Sequence, residues 1–96
     1  MLKIIRITGV SLTPEYQPGD YVLVAGLARY AAGDVVVFER GELGMLIKRV
    51  ERVLPETDAL YVVGSHPLSV DSRQFGPIPR GSVLGKVLWH IRRPMK

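Results

Sequence analysis

Gly19-Asp20-Tyr21-Val22-Leu23-Val24 and Gly33-Asp34-Val35-Val36-Val37-Phe38 each set a Gly-Asp turn in front of an apolar run, fourteen positions apart. Aspartate bonds its own backbone in tight turns and glycine tolerates them, so both pairs read as punctuation ahead of a strand. Two copies are too few for a repeat architecture. Outward from them the same grammar continues. Lys3, Ile5 and Ile7 alternate with Ile4, Arg6 and Thr8, and the runs Met45 to Val53, Ala59 to Val63 and Val83 to Ile91 are rich in β-branched and aromatic residues. Pro18-Gly19-Asp20, Gly33-Asp34, Gly41 to Gly44, Pro55 to Asp58 and the stretch Gly64 to Gly81 divide them. No segment predicts a helix of ordinary length. The best helical candidate is one turn with Thr13 as N-cap and Pro14 at the first helical position, and Leu27 to Ala32 is too brief for more than another. The expected fold is all-β, a compact barrel or a pair of packed sheets with short helical turns.

The 96 residues fit a single domain, 1–96, and at 47% apolar and 23% charged they predict a packed core rather than disorder. The chain has no cysteine and two histidines, which removes disulfides, a catalytic thiol and a thiolate metal site and leaves little for zinc. A nucleophile must then be a hydroxyl or an amine, and no cofactor or metal is expected. The longest run in the first half without charge or proline is Tyr21 to Ala28, eight residues, far short of the ~20 of a membrane-spanning helix. The first residues carry no signal-peptide pattern, so the expected compartment is the cytoplasm.

The net charge of +4 falls entirely in residues 49–96, which hold eight basic against four acidic side chains. Arg92, Arg93 and Lys96 read as a solvated tail rather than a phosphate-contacting patch, because aromatic residues are not interleaved with the cations. Trp89, set among aliphatics, reads as a core residue. A nucleic-acid partner is therefore not expected, and a small basic β-barrel that binds nucleic acid stands as the non-enzymatic alternative.

Three segments hold residues capable of chemistry. In Gly9-Val10-Ser11-Leu12-Thr13-Pro14 an alternating strand breaks into a turn, a junction that can present the Ser11 hydroxyl beside backbone N–H groups. Taken alone, without a partner base, Ser11 reads as an ordinary loop residue before a Thr-Pro turn. In Met45 to Leu54, strict alternation puts Lys48 on one face with Leu46, Val50 and Leu54, and Met45, Ile47, Arg49, Glu51 and Val53 on the other. Burial lowers a lysine's pKa and makes its amine a base. Arg52 falls on the same face as Lys48, however, and supports the opposite reading, a solvent-facing or snorkelling lysine. The third segment is Gly64-Ser65-His66-Pro67-Leu68-Ser69-Val70-Asp71-Ser72-Arg73-Gln74-Phe75-Gly76-Pro77, where Asp71 and Arg73 are spaced for an ion pair and the prolines stiffen a polar loop. So long a loop in so small a domain points to function. His66, a lone histidine before proline, reads as a surface residue.

In this order the three segments resemble the catalytic boxes of the signal peptidase I family, serine/lysine peptidases that share their fold with the LexA-like self-cleaving repressors. Gly9 to Pro14 with Pro18 to Val24 resembles the nucleophile box, Ile47-Lys48-Arg49-Val50 the general-base box, Ser69 to Pro79 the third box, and Gly81 to Val87 the closing Gly-x-Val strand. The resemblance implies a Ser11–Lys48 dyad, with Ser69 orienting the amine, Asp71 and Arg73 as a supporting ion pair, and the backbone N–H of Ser11 in the oxyanion hole. It also implies a protein precursor as substrate, bound as an extended peptide. The chain departs from the family pattern at Leu12, where methionine is usual, and at Gly9, where some members carry a serine that helps the oxyanion hole. The first change conserves apolar volume; the second predicts weaker catalysis. Without the membrane segments and large insertion of bacterial signal peptidases, the chain resembles the small relatives that clip an N-terminal extension from the nickel superoxide dismutase precursor. The alternative within the family is the catalytic core of a membrane signal peptidase.

Overall fold

The structure, a computed structural model, describes residues 2–8, 12–26 and 29–92. Six strands form one antiparallel sheet: β1 (Leu2–Arg6), β2 (Tyr21–Ala25), β3 (Val35–Glu39), β4 (Met45–Val53), β5 (Leu60–Val63) and β6 (Val83–Ile91). Their order in the sheet is β1-β2-β6-β3-β4-β5, so the last strand enters at the centre and β1 and β5 lie at the ends. The fold is all-β, as expected. The described residues include one short helix, α1 (Ser72–Phe75), and two 3-10 turns at Gly41–Leu43 and Arg80–Ser82. No helix among the described residues is long and apolar enough to cross a membrane.

The core lies on both sides of β3. Val35 and Val37 join Ile7, Leu12, Tyr16, Val22, Val24 and Ile47 in one cluster. Val36 and Phe38 join Val50, Leu60, Val62 and Ile78 in the other. Because both faces of β3 are covered, its sequence is a continuous apolar run rather than an alternation. Among the described residues, the β1-β2-β6 part of the sheet is covered on one face alone. Its other face carries Leu2 and Ile4 of β1, which pair with Ala25 and Leu23 of β2, and Leu23 pairs in turn with Trp89 of β6. Trp89 is 67% exposed, which corrects the expectation that it is a core residue. An apolar side chain in a strand is bound to a face, but which face the rest of the chain covers is a tertiary matter.

Bulges interrupt the register at three places: between Leu23 and Val24 opposite β6, between Val37 and Phe38 opposite β6, and between Val50 and Arg52 opposite β5. The last changes the reading of β4. Val50 pairs with Val62 and Arg52 with Tyr61, so Glu51 is the extra residue. An extra residue reverses the inside-outside parity of everything after it. Val53 therefore packs on the same cluster as Val50 and Leu46, contrary to strict alternation. Arg52, expected on the face of Lys48, lies exposed with its guanidinium 4.0 Å from the Tyr61 ring centroid. Where a helical turn is expected with Thr13 as N-cap, residues 12–15 form a turn whose Thr13–Pro14 bond is cis. Tyr16 N–H donates to Leu12 O at 2.9 Å and the pattern does not propagate, because Leu12 and Tyr16 are drawn into the core.

Candidate active site

Lys48 sits in the middle of β4, opposite Val36 of β3, and is 2% exposed. The aliphatic neighbours Leu46 and Val50 on its side of the strand belong to the cluster around Phe38. Burial without water lowers its pKa from the ordinary lysine value; Asp71 acts in the opposite sense, and Arg73 lowers it further. The amine is not orphaned. Lys48 Nζ donates to Ser69 Oγ at 2.7 Å, across 21 positions of sequence. Ser69 Oγ in turn lies 3.4 Å from Asp71 Oδ2, a long contact that directs its proton towards a carboxylate.

Asp71 closes the loop on which Ser69 stands. It is fully buried, and its carboxylate accepts from Gly64 N–H at 2.8 Å, from Arg73 N–H at 3.0 Å, and from the guanidinium through Nε at 3.0 Å and Nη2 at 2.7 Å. The Asp71–Arg73 ion pair expected from their spacing is thus formed as a bidentate fork. Burial pushes the Asp71 carboxyl up, but Arg73 and the two backbone N–H groups outweigh it and hold the pKa well below the usual carboxylate range. Asp71 also caps α1, in a capping box completed by Gln74, whose Oε1 accepts from Asp71 N–H at 2.9 Å. Ser72 Oγ accepts from Val62 N–H at 2.9 Å and fastens the helix to β5. Sequence reading missed this helix, since one turn is below any periodic signal, although an Asp followed three residues later by Gln is a capping signature. His66 serves the loop alone: its Nδ1 accepts from Leu68 N–H and its carbonyl from Ser69 N–H, both at 3.0 Å.

The expected nucleophile, Ser11, lies outside the described residues, as does Gly9. The turn that follows it is described and is tied to both other segments. Ser65 Oγ donates to Thr13 O at 3.0 Å, and Glu15 forms an ion pair with Arg49, the residue after Lys48. Arg49 also donates to Gly33 O at 3.1 Å. Neither Ser65 nor Glu15 stood out in the sequence, because each acts on a partner distant along the chain. Of the five residues singled out, the fold brings Lys48, Ser69, Asp71 and Arg73 into one connected group. Among the described residues no cluster of histidine, aspartate or glutamate is arranged to hold a metal ion.

A buried amine is thus held against a hydroxyl and backed by an ion-paired carboxylate, in an all-β sheet. Residues 1–88 match the model of the Peptidase S24-like family. The chain belongs to that family, and it is a peptidase whose substrate is protein. No curated protein matches the chain. The family agrees with the resemblance to the LexA and signal peptidase fold.

Proposed function

We propose that this chain is a serine endopeptidase that works through a Ser11–Lys48 dyad and removes an N-terminal leader or propeptide from a protein precursor. The observation that carries the reading is the environment of Lys48: an amine that is 2% exposed, among aliphatic side chains, with a hydroxyl oxygen 2.7 Å away. A neutral amine has one lone pair and two N–H bonds. Donating one N–H to Ser69 leaves the lone pair in a fixed direction, ready to accept the Ser11 Oγ proton. Ser11 then attacks the scissile carbonyl, the backbone N–H of Ser11 stabilises the oxyanion, and the protonated Lys48 returns its proton to the leaving amine. Water, deprotonated by the same amine, hydrolyses the ester and regenerates both groups. Asp71 and Arg73 touch no reacting atom in this scheme; they hold the loop that carries Ser69. The ties from Ser65 to Thr13 and from Arg49 to Glu15 support it, since they draw the turn after Ser11 to the segments bearing Ser69 and Lys48.

The substrate we propose is the nickel superoxide dismutase precursor, whose extension must be clipped to free a metal-binding amino terminus. Mass spectrometry of that precursor, incubated with the wild-type chain and with Ser11→Ala and Lys48→Met, tests both levels of the proposal. The expected result is loss of the extension with the wild type only. Full activity of either variant sinks the dyad. An uncut precursor, alongside cleavage of a peptide with small residues flanking the bond, overturns the substrate and leaves the dyad standing.

A further inference from the structure

The turn between β1 and β2 hangs on a buried polar group that the dyad does not use. Asp20 is 2% exposed, and its Oδ2 accepts from Gln17 N–H at 3.0 Å and lies 2.7 Å from His90 Nε2 of β6. A carboxylate is acceptor-only, so that ring nitrogen carries the proton. The His90 ring stacks on Tyr16, with centroids 4.3 Å apart and planes inclined by 24°. Asp20 O accepts from Ile7 N–H at 2.8 Å, and Gly19 N–H donates to Ile7 O at 2.7 Å. On the other side, Tyr16 N–H donates to Leu12 O at 2.9 Å. Ile7 and Leu12 are the buried residues on either side of the segment that contains Ser11, and both are therefore held to the Asp20–His90–Tyr16 group. His90 itself comes from the far end of the chain and faces the core beside Val22, its partner across β2 and β6.

We infer that His90 is a positioning residue for the peptidase reaction: through Asp20 and Tyr16 it holds Ile7 and Leu12, the described core residues that flank the nucleophile in sequence, and so acts on the meeting of nucleophile and amine. The inference rests on the reading of Ser11 and Lys48 as the dyad. Its chemistry is a bond of fixed length on one side of the ring and a stacked face on the other. Losing either frees one anchor of the segment while the strands keep their own ladders.

The absence of any native cysteine permits a test that needs no substrate. In a Ser11→Cys chain, alkylation by iodoacetamide reads position 11 alone, and its pH dependence gives the thiol's pKa. An adjacent ammonium holds that pKa roughly a unit or more below the ordinary ~8.5. Adding Lys48→Met is expected to restore the ordinary value. Adding His90→Phe, which keeps a ring for Tyr16 but has no nitrogen for Asp20, is expected to do the same, with no further change when combined with Lys48→Met. His90→Gln, which again offers an N–H towards Asp20, is expected to recover at least half of the lowering. A purely structural role would lower the melting temperature and leave the thiol's pKa in the folded chain where it was. A lowered pKa that survives His90→Phe but not Lys48→Met overturns the inference and spares the dyad. A pKa indifferent to Lys48→Met overturns the dyad and the inference with it. Should the phenylalanine variant fail to fold, His90→Leu, smaller than the ring and likewise without a nitrogen for Asp20, decides the question by the same readout.

Discussion

At the scale of single residues the central fact is that a lysine lies where an aliphatic side chain would pack as well. Burial disfavours its charged form and a hydroxyl oxygen supports its amine, which is what the proposed base requires. Lys48→Met removes the base and keeps the packing. We expect precursor processing to fall by ~10²–10⁴-fold, with a urea midpoint unchanged or raised. Ser69→Ala removes the orienting contact and not the base, so a smaller loss, about 10- to 100-fold in kcat, is expected, with recovery in Ser69→Thr. The identity of Lys48 as a candidate was legible from its neighbours Leu46 and Val50. Its burial was not, because Arg52, four positions on, argued for solvent. The bulge at Glu51 resolves the conflict by reversing the parity between them.

At the scale of elements, the loop from Gly64 to Asp71 and the strand β6 carry the arrangement. Asp71 joins the two ends of the loop, and Arg73 neutralises it from the solvent side. Removing the guanidinium leaves a buried carboxylate whose pKa rises. The wild-type carboxyl titrates below its unfolded value of ~3.9, so the stability it contributes is present above that pH and is lost as pH falls towards the folded pKa. Arg73→Gln should therefore be less stable than wild type at neutral pH, with the difference closing as pH drops below about 4, followed by circular dichroism. In β6, Gly85 lets the strand lie close to β2: a Cβ there would stand 2.6 Å from both Ala25 O and Val24 Cγ1. The first of these is backbone and cannot swing aside, so Gly85→Ala should cost ~1–3 kcal/mol in chemical unfolding. The sequence marks Gly85 as a strand glycine and nothing more. The backbone that approaches it is sixty residues upstream.

Across the whole molecule, the lowered pKa of Lys48 is a stability statement. A lysine that binds its proton less tightly when folded makes the unfolded chain the better proton acceptor between the folded pKa and the unfolded value near ~10.4. Stability should accordingly rise with pH through that window, and Lys48→Met should abolish the rise, as measured by urea midpoints at successive pH values. Processing should follow the same ionisation, increasing with pH and levelling below the ordinary lysine pKa. What local sequence determined here is the set of strands and turns: alternation and β-branching govern which residues extend, and glycine, proline and aspartate govern where the chain reverses, both within a few residues. It also determined the Asp71–Arg73 pair, two positions apart. Only the tertiary structure decided that β6 enters between β2 and β3, that Trp89 faces outward, that Lys48 meets Ser69, and that His90 meets Asp20. Those depend on which face is covered and which distant segment covers it, and a period-two pattern is the same whichever face the rest of the chain chooses.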